Sequence, residues 1–277
     1  MNPTKLQGDG TDFLKGLILD KKDFTIKKTG YSLEIILNGK KYLFSKTDNT
    51  QKTFFAHSKI KADIRKSNLI IDSVPHQQIK FYDVRNFMEF NQEIFYPEII
   101  NVDIKNAYPQ TLFNFGCLTE NTFNYLNTEI NKIDRLKAVG MIATNKIIYE
   151  FKKGKCFNSY TKSNKENRNL FKAVCFEVGK NMNDCAQLIK DDFLFFWVDG
   201  IYFLNEKNIL PTELLLNSNN YKTTTERLTD FYAKLSNNII FIEFKKDNKL
   251  KKFSLPLNER INNTELNKIN KLFNLKK

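Results

Sequence analysis

The apolar positions of this chain change their spacing several times, and each change marks an element. Between residues 168 and 190 they recur at i, i+3, i+4 and i+7. Phe171, Val174, Cys175, Val178, Met182, Cys185 and Ile189 therefore share one face of a long predicted helix. A helix backing a sheet accounts for that stripe. Tyr31–Phe44 alternates around Asn38-Gly39 and predicts a hairpin with a type I′ turn. Phe193–Phe203 predicts a second hairpin, with Asp199-Gly200 read as its positive-φ turn. Glu98–Asp103 is a short apolar strand, and Pro109 just beyond it suits the first turn of a helix.

Other stretches carry weaker patterns. Leu126, Ile130, Ile133 and Leu136 make Thr119–Gly140 mainly helical, and Lys52–Lys66 has a basic, helical character. Leu69–Asp72 and Gln78–Asp83 read as short strands around Pro75. Lys152–Lys165 is polar, contains Gly154, and reads as a loop or short hairpin. Thr223–Leu235 is expected to be a helix, with Thr223 and Glu226 as a capping box. Asn238–Lys245 and Lys251–Leu255 read as strands joined at Asp247-Asn248, and Asn263–Phe273 as a terminal helix.

From residue 98 onward, leaving out an insertion, the order is β-α-β-β-α-β. The expected fold is α+β: a ferredoxin-like (βαββαβ) domain with a helical insertion and a small N-terminal module containing β structure. The expected domains are residues 1–92, a basic module, and residues 93–277, with the insertion at about 110–166 and a C-terminal hairpin and helix. In such a fold the end of the first strand lies beside the middle hairpin. Asp103 and Asp199 are then neighbours despite their separation in sequence.

Composition narrows the function. Lys and Arg total 44 against 31 Asp and Glu, a net charge of +13. One reading is a polyanionic partner, most simply nucleic acid. The other is compositional drift, because the chain is rich in Lys, Asn, Ile and Phe. The density of basic residues in Lys52–Lys66 and Lys152–Arg168 favours binding. No apolar run is long enough to span a membrane, and the first residues lack an apolar signal region, so no membrane partner and a cytoplasmic location are expected. Cys117, Cys156, Cys175 and Cys185 have no CxxC spacing and there are two histidines, so reduced cysteines and no structural zinc are expected.

Two carboxylates placed as Asp103 and Asp199 can hold divalent cations for in-line phosphoryl displacement. Mg²⁺ suits such oxygen donors. Asp103-Ile-Lys-Asn-Ala-Tyr-Pro109 resembles motif A of family B DNA polymerases, usually Asp-x-x-Ser-Leu-Tyr-Pro. Phe196-Trp-Val-Asp-Gly-Ile-Tyr-Phe203 resembles their motif C, usually Tyr-x-Asp-Thr-Asp-Ser, with Asp199 at the second aspartate and Trp197 at the first. The match covers roughly residues 98–205.

The resemblance implies a polymerase palm that binds Mg²⁺ or Mn²⁺. Asp103, Asp199 and the Ile104 carbonyl would be metal ligands. Tyr108 would gate the sugar, and Asn106 in the same motif would contact the nucleotide. Motif B, Lys-x-x-x-Asn-Ser-x-Tyr-Gly, is eroded here to Arg135–Ala143, where Lys137 and Arg135 would grip phosphate and Met141-Ile142 replace Asn-Ser. Residues 110–166 would be reduced fingers. The implied activity is that of a minimal DNA polymerase or nucleotidyltransferase from a phage, plasmid or mobile element. Its partners would be DNA, deoxynucleoside triphosphates, and a protein primer or accessory subunit. Two alternatives stand. One is a reverse-transcriptase-like palm, although no Leu-Pro-Gln-Gly segment is found. The other is a catalytically inactive palm that binds nucleic acid.

Overall fold

The computed structural model describes residues 4–6, 8–29, 32–45, 51–67, 69, 71, 74–84, 93–237 and 239–256. In chain order the elements are β1 (Thr4–Leu6), α1 (Thr11–Leu19), β2 (Phe24–Lys28), β3 (Ser32–Leu37), β4 (Lys40–Ser45), α2 (Gln51–Ser67), β5 (Tyr82–Val84) and β6 (Glu93–Ile104). They continue with α3 (Ala107–Asn114), α4 (Glu120–Thr128), α5 (Lys132–Gly140), β7 (Lys146–Lys152), β8 (Lys155–Lys162), α6 (Lys165–Ile189), β9 (Phe193–Trp197) and β10 (Gly200–Phe203). The last are α7 (Ile209–Ser218), β11 (Thr223–Ser236), β12 (Ile239–Lys246) and β13 (Lys249–Pro256). The fold is α+β with two sheets, antiparallel apart from the β1–β4 pair. Of the expected strand over Leu69–Asp72, positions 70 and 72 lie outside the described residues and Leu69 and Ile71 are not in a strand; the expected helix over Asn263–Phe273 lies wholly outside them.

The chain divides into two compact units, and both are discontinuous. One joins residues 1–74 with 111–174, the other residues 75–110 with 175–277. This differs from a single cut at residue 92. The reason is strand pairing: β7, inside the 110–166 insertion, pairs with β2, so the insertion completes the N-terminal sheet. In this first unit the order is β1-β4-β3-β2-β7-β8. Its core gathers Leu17, Phe24, Ile26, Ile35 and Phe44. Both hairpin turns, Asn38-Gly39 and Lys153-Gly154, have positive φ at each central residue, as two-residue loops of type I′ require. α2 packs with α4 and α5, and Asp63 accepts from the Thr119 N–H and hydroxyl at 2.9 and 2.7 Å.

The second unit holds a seven-stranded sheet ordered β13-β12-β11-β6-β10-β9-β5. The alternation in β6 decides its two faces. Ile100, Val102 and Ile104 point to one side, where Val178, Met182, Cys185, Ala186 and Ile189 of α6 meet them together with Ile201, Phe203, Leu216 and Tyr221. The predicted helical stripe from Val178 to Ile189 is therefore the core face of this part of α6. Gly179 lets this helix approach the chain before β5 closely, since a Cβ there would stand 2.2 Å from the Lys80 carbonyl oxygen. Ile99, Asn101 and Asp103 point to the other side of the sheet.

One expected element is of the opposite type. Thr223–Leu235 is not a helix but the long strand β11, paired with β6 from Thr223↔Ile104 to Lys234↔Glu93. Its Thr-rich, alternating start suits a strand, and Glu226 lies across from Asn101 instead of capping a helix. The helix of this region is α7, upstream of it. Pro97 has no N–H to donate. Opposite it Asp230 takes φ 52°, and the β11–β12 register shifts between Thr229 and Tyr232. A bulge of this kind bends a strand. Phe253 of the edge strand β13 lies 5.5 Å from Phe195 and 5.9 Å from Trp197 of β9, ring to ring, so the sheet curls over the Asn101 side.

Candidate active site

Asp103 lies on β6, and Asp199 lies in the loop that leads into the adjacent strand β10. Gly200 lies directly across from Asp103, and Tyr202 across from Asn101. The Ile104 N–H donates to the Asp199 carbonyl at 2.9 Å, which ties the hairpin tip to the end of β6. Both carboxylates, joined by Glu226, act on the Tyr202 hydroxyl. Burial first, then the charges of Asp103, Asp199 and Glu226, push its pKa up. Glu226 is itself neutralised by Lys246, whose ammonium lies 2.8 and 2.5 Å from its two oxygens.

The hairpin tip differs from its sequence reading. Trp197 pairs with Gly200, so the two-residue loop is Val198-Asp199, not Asp199-Gly200. The positive φ falls on Val198, at 55°. A β-branched residue in that region is strained by about 1–3 kcal/mol. Two hydrogen bonds hold it there: the Val198 N–H donates to the Phe81 carbonyl at 2.7 Å, and the neighbouring Asp199 carbonyl accepts from Ile104. Gly200 serves a different end from the expected one. A Cβ at this position would stand 3.1 Å from both Asn101 Oδ1 and Asp103 Oδ1 and 3.5 Å from the Tyr202 ring. Glycine makes room for two oxygen-bearing side chains over the strand.

Asn101 is the residue that sequence reasoning missed. It is 6% exposed, and its Oδ1 has no hydrogen-bond partner among the described residues. Leaving such an oxygen unsatisfied costs ~1–3 kcal/mol. Its signal in the sequence was a lone polar residue inside Ile99-Ile100-Asn101-Val102, two positions before Asp103 and hence on the same strand face. Tyr202 and Glu226 could be recognised only through the strand register.

The other expected site residues divide. Asn106 takes φ 54° at the joint between β6 and α3, and its carbonyl accepts from the Gln110 N–H at 2.9 Å, so it shapes the helix start. Tyr108 is half-buried against the α6-side core. Its hydroxyl is hydrogen-bonded to the Cys175 thiol, and its pKa is raised by burial, then by Cys175 and Asp199. Burial in turn pushes the Cys175 thiol up to about 12. Trp197 is a packing residue, its ring 6.0 Å from Tyr82. Lys137 and Arg135 belong to the other unit, on α5. Arg135 is a correction. It is 8% exposed, and its Nη1 donates to the carbonyls of Leu126 and Ile130 at 2.9 and 3.1 Å. It clamps the end of α4 instead of presenting a free guanidinium.

All the donors gathered near Gly200 are oxygens, the set that suits Mg²⁺ or Mn²⁺ and not a thiolate-seeking metal. Among the described residues no group of three or more His, Cys, Asp and Glu side chains is placed to hold a metal. A cation here would rest on two carboxylates and neutral oxygens. The three cysteines Cys117, Cys175 and Cys185 are buried and Cys156 is exposed; all four are free thiols. No described helix is long and apolar enough to cross a membrane. Compared with protein-family models and with curated proteins, the sequence matches none.

Proposed function

We propose that the second unit is a polymerase-like palm that binds Mg²⁺ or Mn²⁺ at Asp103 and Asp199 and transfers deoxynucleotides to a DNA or protein hydroxyl. The observation that carries this reading is the register of β6 and β10, which brings two carboxylates 96 positions apart in sequence to one end of neighbouring central strands. The strand order β11-β6-β10-β9, with α6 and α7 as the crossing helices, supports a ferredoxin-like palm: it is the 4-1-3-2 order of a split βαβ unit. The helices pack on the face away from Asn101 and Asp103; on the other face Ile99, Phe195, Phe231 and Phe244 form an apolar cluster, so substrate would reach the half-buried Asp103 and Asp199 at the strand ends. A bound cation would neutralise phosphate charge and lower the pKa of an attacking hydroxyl. Asp103 and Asp199 would hold it, with the Ile104 carbonyl as a further donor. Tyr108, packed on the α6 side and tied to Cys175, would brace the start of α3 near Asp199. The net charge of +13 suits a nucleic-acid partner.

The internal role of Arg135 and the aromatic Trp197 favour a second reading, a palm that binds nucleic acid without catalysis. Primer extension separates the two. The full chain is incubated with labelled primer, with and without template, deoxynucleoside triphosphates and Mg²⁺ or Mn²⁺. Extension that disappears in Asp103→Ala and in Asp199→Ala supports catalysis. Unimpaired, strongly salt-dependent DNA binding by both variants, without extension by the wild type, supports the second reading.

A further inference from the structure

We infer that Asn101 supplies a third oxygen ligand to the cation held by Asp103 and Asp199, in place of the carboxylate that Trp197 does not provide. The inference rests on the proposed two-carboxylate site and adds a residue that the polymerase resemblance does not include. Three observations carry it. Asn101 and Asp103 are two apart on β6, so their side chains rise from the same face of the sheet. Their Oδ1 atoms converge: both lie 3.1 Å from the one point where a Cβ on Gly200 would stand, and so at most twice that distance from each other. The Asn101 oxygen, in a residue 6% exposed, has no hydrogen-bond partner among the described residues.

A buried carbonyl oxygen is retained at a cost unless something uses its lone pairs. The groups around it do not donate to it. Tyr202 lies across the strand pair, and its hydroxyl is surrounded by the charges of Asp103, Asp199 and Glu226. Glu226, across from Asn101 on β11, is committed to Lys246. A divalent cation beside Asp103 supplies what the amide oxygen lacks, since hard cations accept neutral amide oxygens alongside carboxylates. Gly200 is then required because any larger residue would occupy the space on which the oxygens converge. The competing assignment turns the amide over, so that its NH₂ donates to the Asp103 carboxylate. The two assignments make opposite predictions for an aspartate at position 101.

The test titrates the purified full chain with Mn²⁺ and follows the EPR signal of free Mn²⁺. Wild type binds, and Asp103→Ala does not. Asn101→Leu, nearly the same shape without the oxygen, weakens binding ~10-fold or more, the scale on which lost support of a metal site is felt. It melts no lower than wild type in EDTA, because the oxygen it removes was unpartnered. Asn101→Asp keeps the oxygen and binds Mn²⁺ as tightly as wild type or tighter. If Asn101→Asp loses binding, the amide donates to Asp103 and the inference is overturned. If Asn101→Leu binds like wild type while Asp103→Ala does not, the inference fails and the carboxylate site stands. Absence of binding by the wild type at millimolar Mn²⁺ overturns both.

Discussion

Replacing Arg135 by Met separates a structural role from a phosphate-binding one. The guanidinium donates to two carbonyls, Leu126 at 2.9 Å and Ile130 at 3.1 Å. The first belongs to the last turn of α4, where carbonyls have no partner within the helix. Burial already lowers the arginine pKa, so the charge is held in a poorly solvated place for the sake of these bonds. A hydrogen bond from a charged donor contributes ~1.5–3 kcal/mol, and the two share one desolvated group, so losing both costs ~2–4 kcal/mol. Methionine fills most of the volume but satisfies neither carbonyl. At ~2–4 °C per kcal/mol, the transition of the first unit falls by roughly 5–15 °C. Arg135→Lys falls between, because an ammonium on a flexible stem does not reproduce the fixed fork. Melting followed by circular dichroism measures this, and a nucleotide-binding titration of the folded variant measures the rest. An unchanged melting curve with lost triphosphate binding would refute the structural account of Arg135.

Two further perturbations test the packing and the electrostatics. Gly16 in α1 has nothing within 4 Å of a Cβ, whereas Gly179 in α6 would set one 2.2 Å from the Lys80 carbonyl oxygen. Gly16→Ala is therefore expected to stabilise by ~1 kcal/mol through helix propensity. Gly179→Ala should destabilise by ~1–3 kcal/mol through overpacking, and urea midpoints that move in the same direction would contradict this. His57 sits beside the Ala138 carbonyl at 3.1 Å, and burial, then Lys61 and Lys146, hold its pKa below 6.5. The unfolded chain binds the proton more readily, so this residue's contribution is present above pH ~6.5 and is lost as pH falls below it. His57→Asn should flatten the pH dependence of stability just below pH 6.5; urea melts between pH 7.5 and 5.5 with equal slopes in both proteins would speak against it.

The elements that were legible in the sequence are those whose signal is local. The α6 stripe declares itself because seven apolar residues fall on one face, and four of them, Val178, Met182, Cys185 and Ile189, meet the β6 core. Asn38-Gly39 is a turn because both residues take positive φ there, which few others do cheaply. The capping-box spacing of Thr223 and Glu226 predicts a helix over 223–235. Tertiary pairing with eleven residues of β6 outweighs it, and the threonines prefer that setting in any case. The division of the chain was illegible for another reason. Nothing local in Ile147–Phe151 says that its partner is Phe24–Lys28, more than a hundred positions earlier.

The candidate site is a consequence of the same alternation that builds the core. In β6, Ile100, Val102 and Ile104 are at most 1% exposed beneath α6, and Asn101 and Asp103 alternate with them. A slip of one residue in the β6–β10 register would drive Asp103 into that apolar layer, where an unpaired carboxylate cannot remain charged. The register that keeps Asp103 out of the core is therefore fixed by the three apolar residues, and it alone decides that Gly200 lies across from Asp103. The hairpin must then reach β6 with a two-residue loop, and the strain this requires falls on Val198, held by bonds from Val198 to Phe81 and from Ile104 to Asp199. Sequence order could place Asp103 near Asp199. It offers Asn101 only as a lone polar residue in an isoleucine-rich strand, whose meaning appears when Gly200 is found across from Asp103, two positions on.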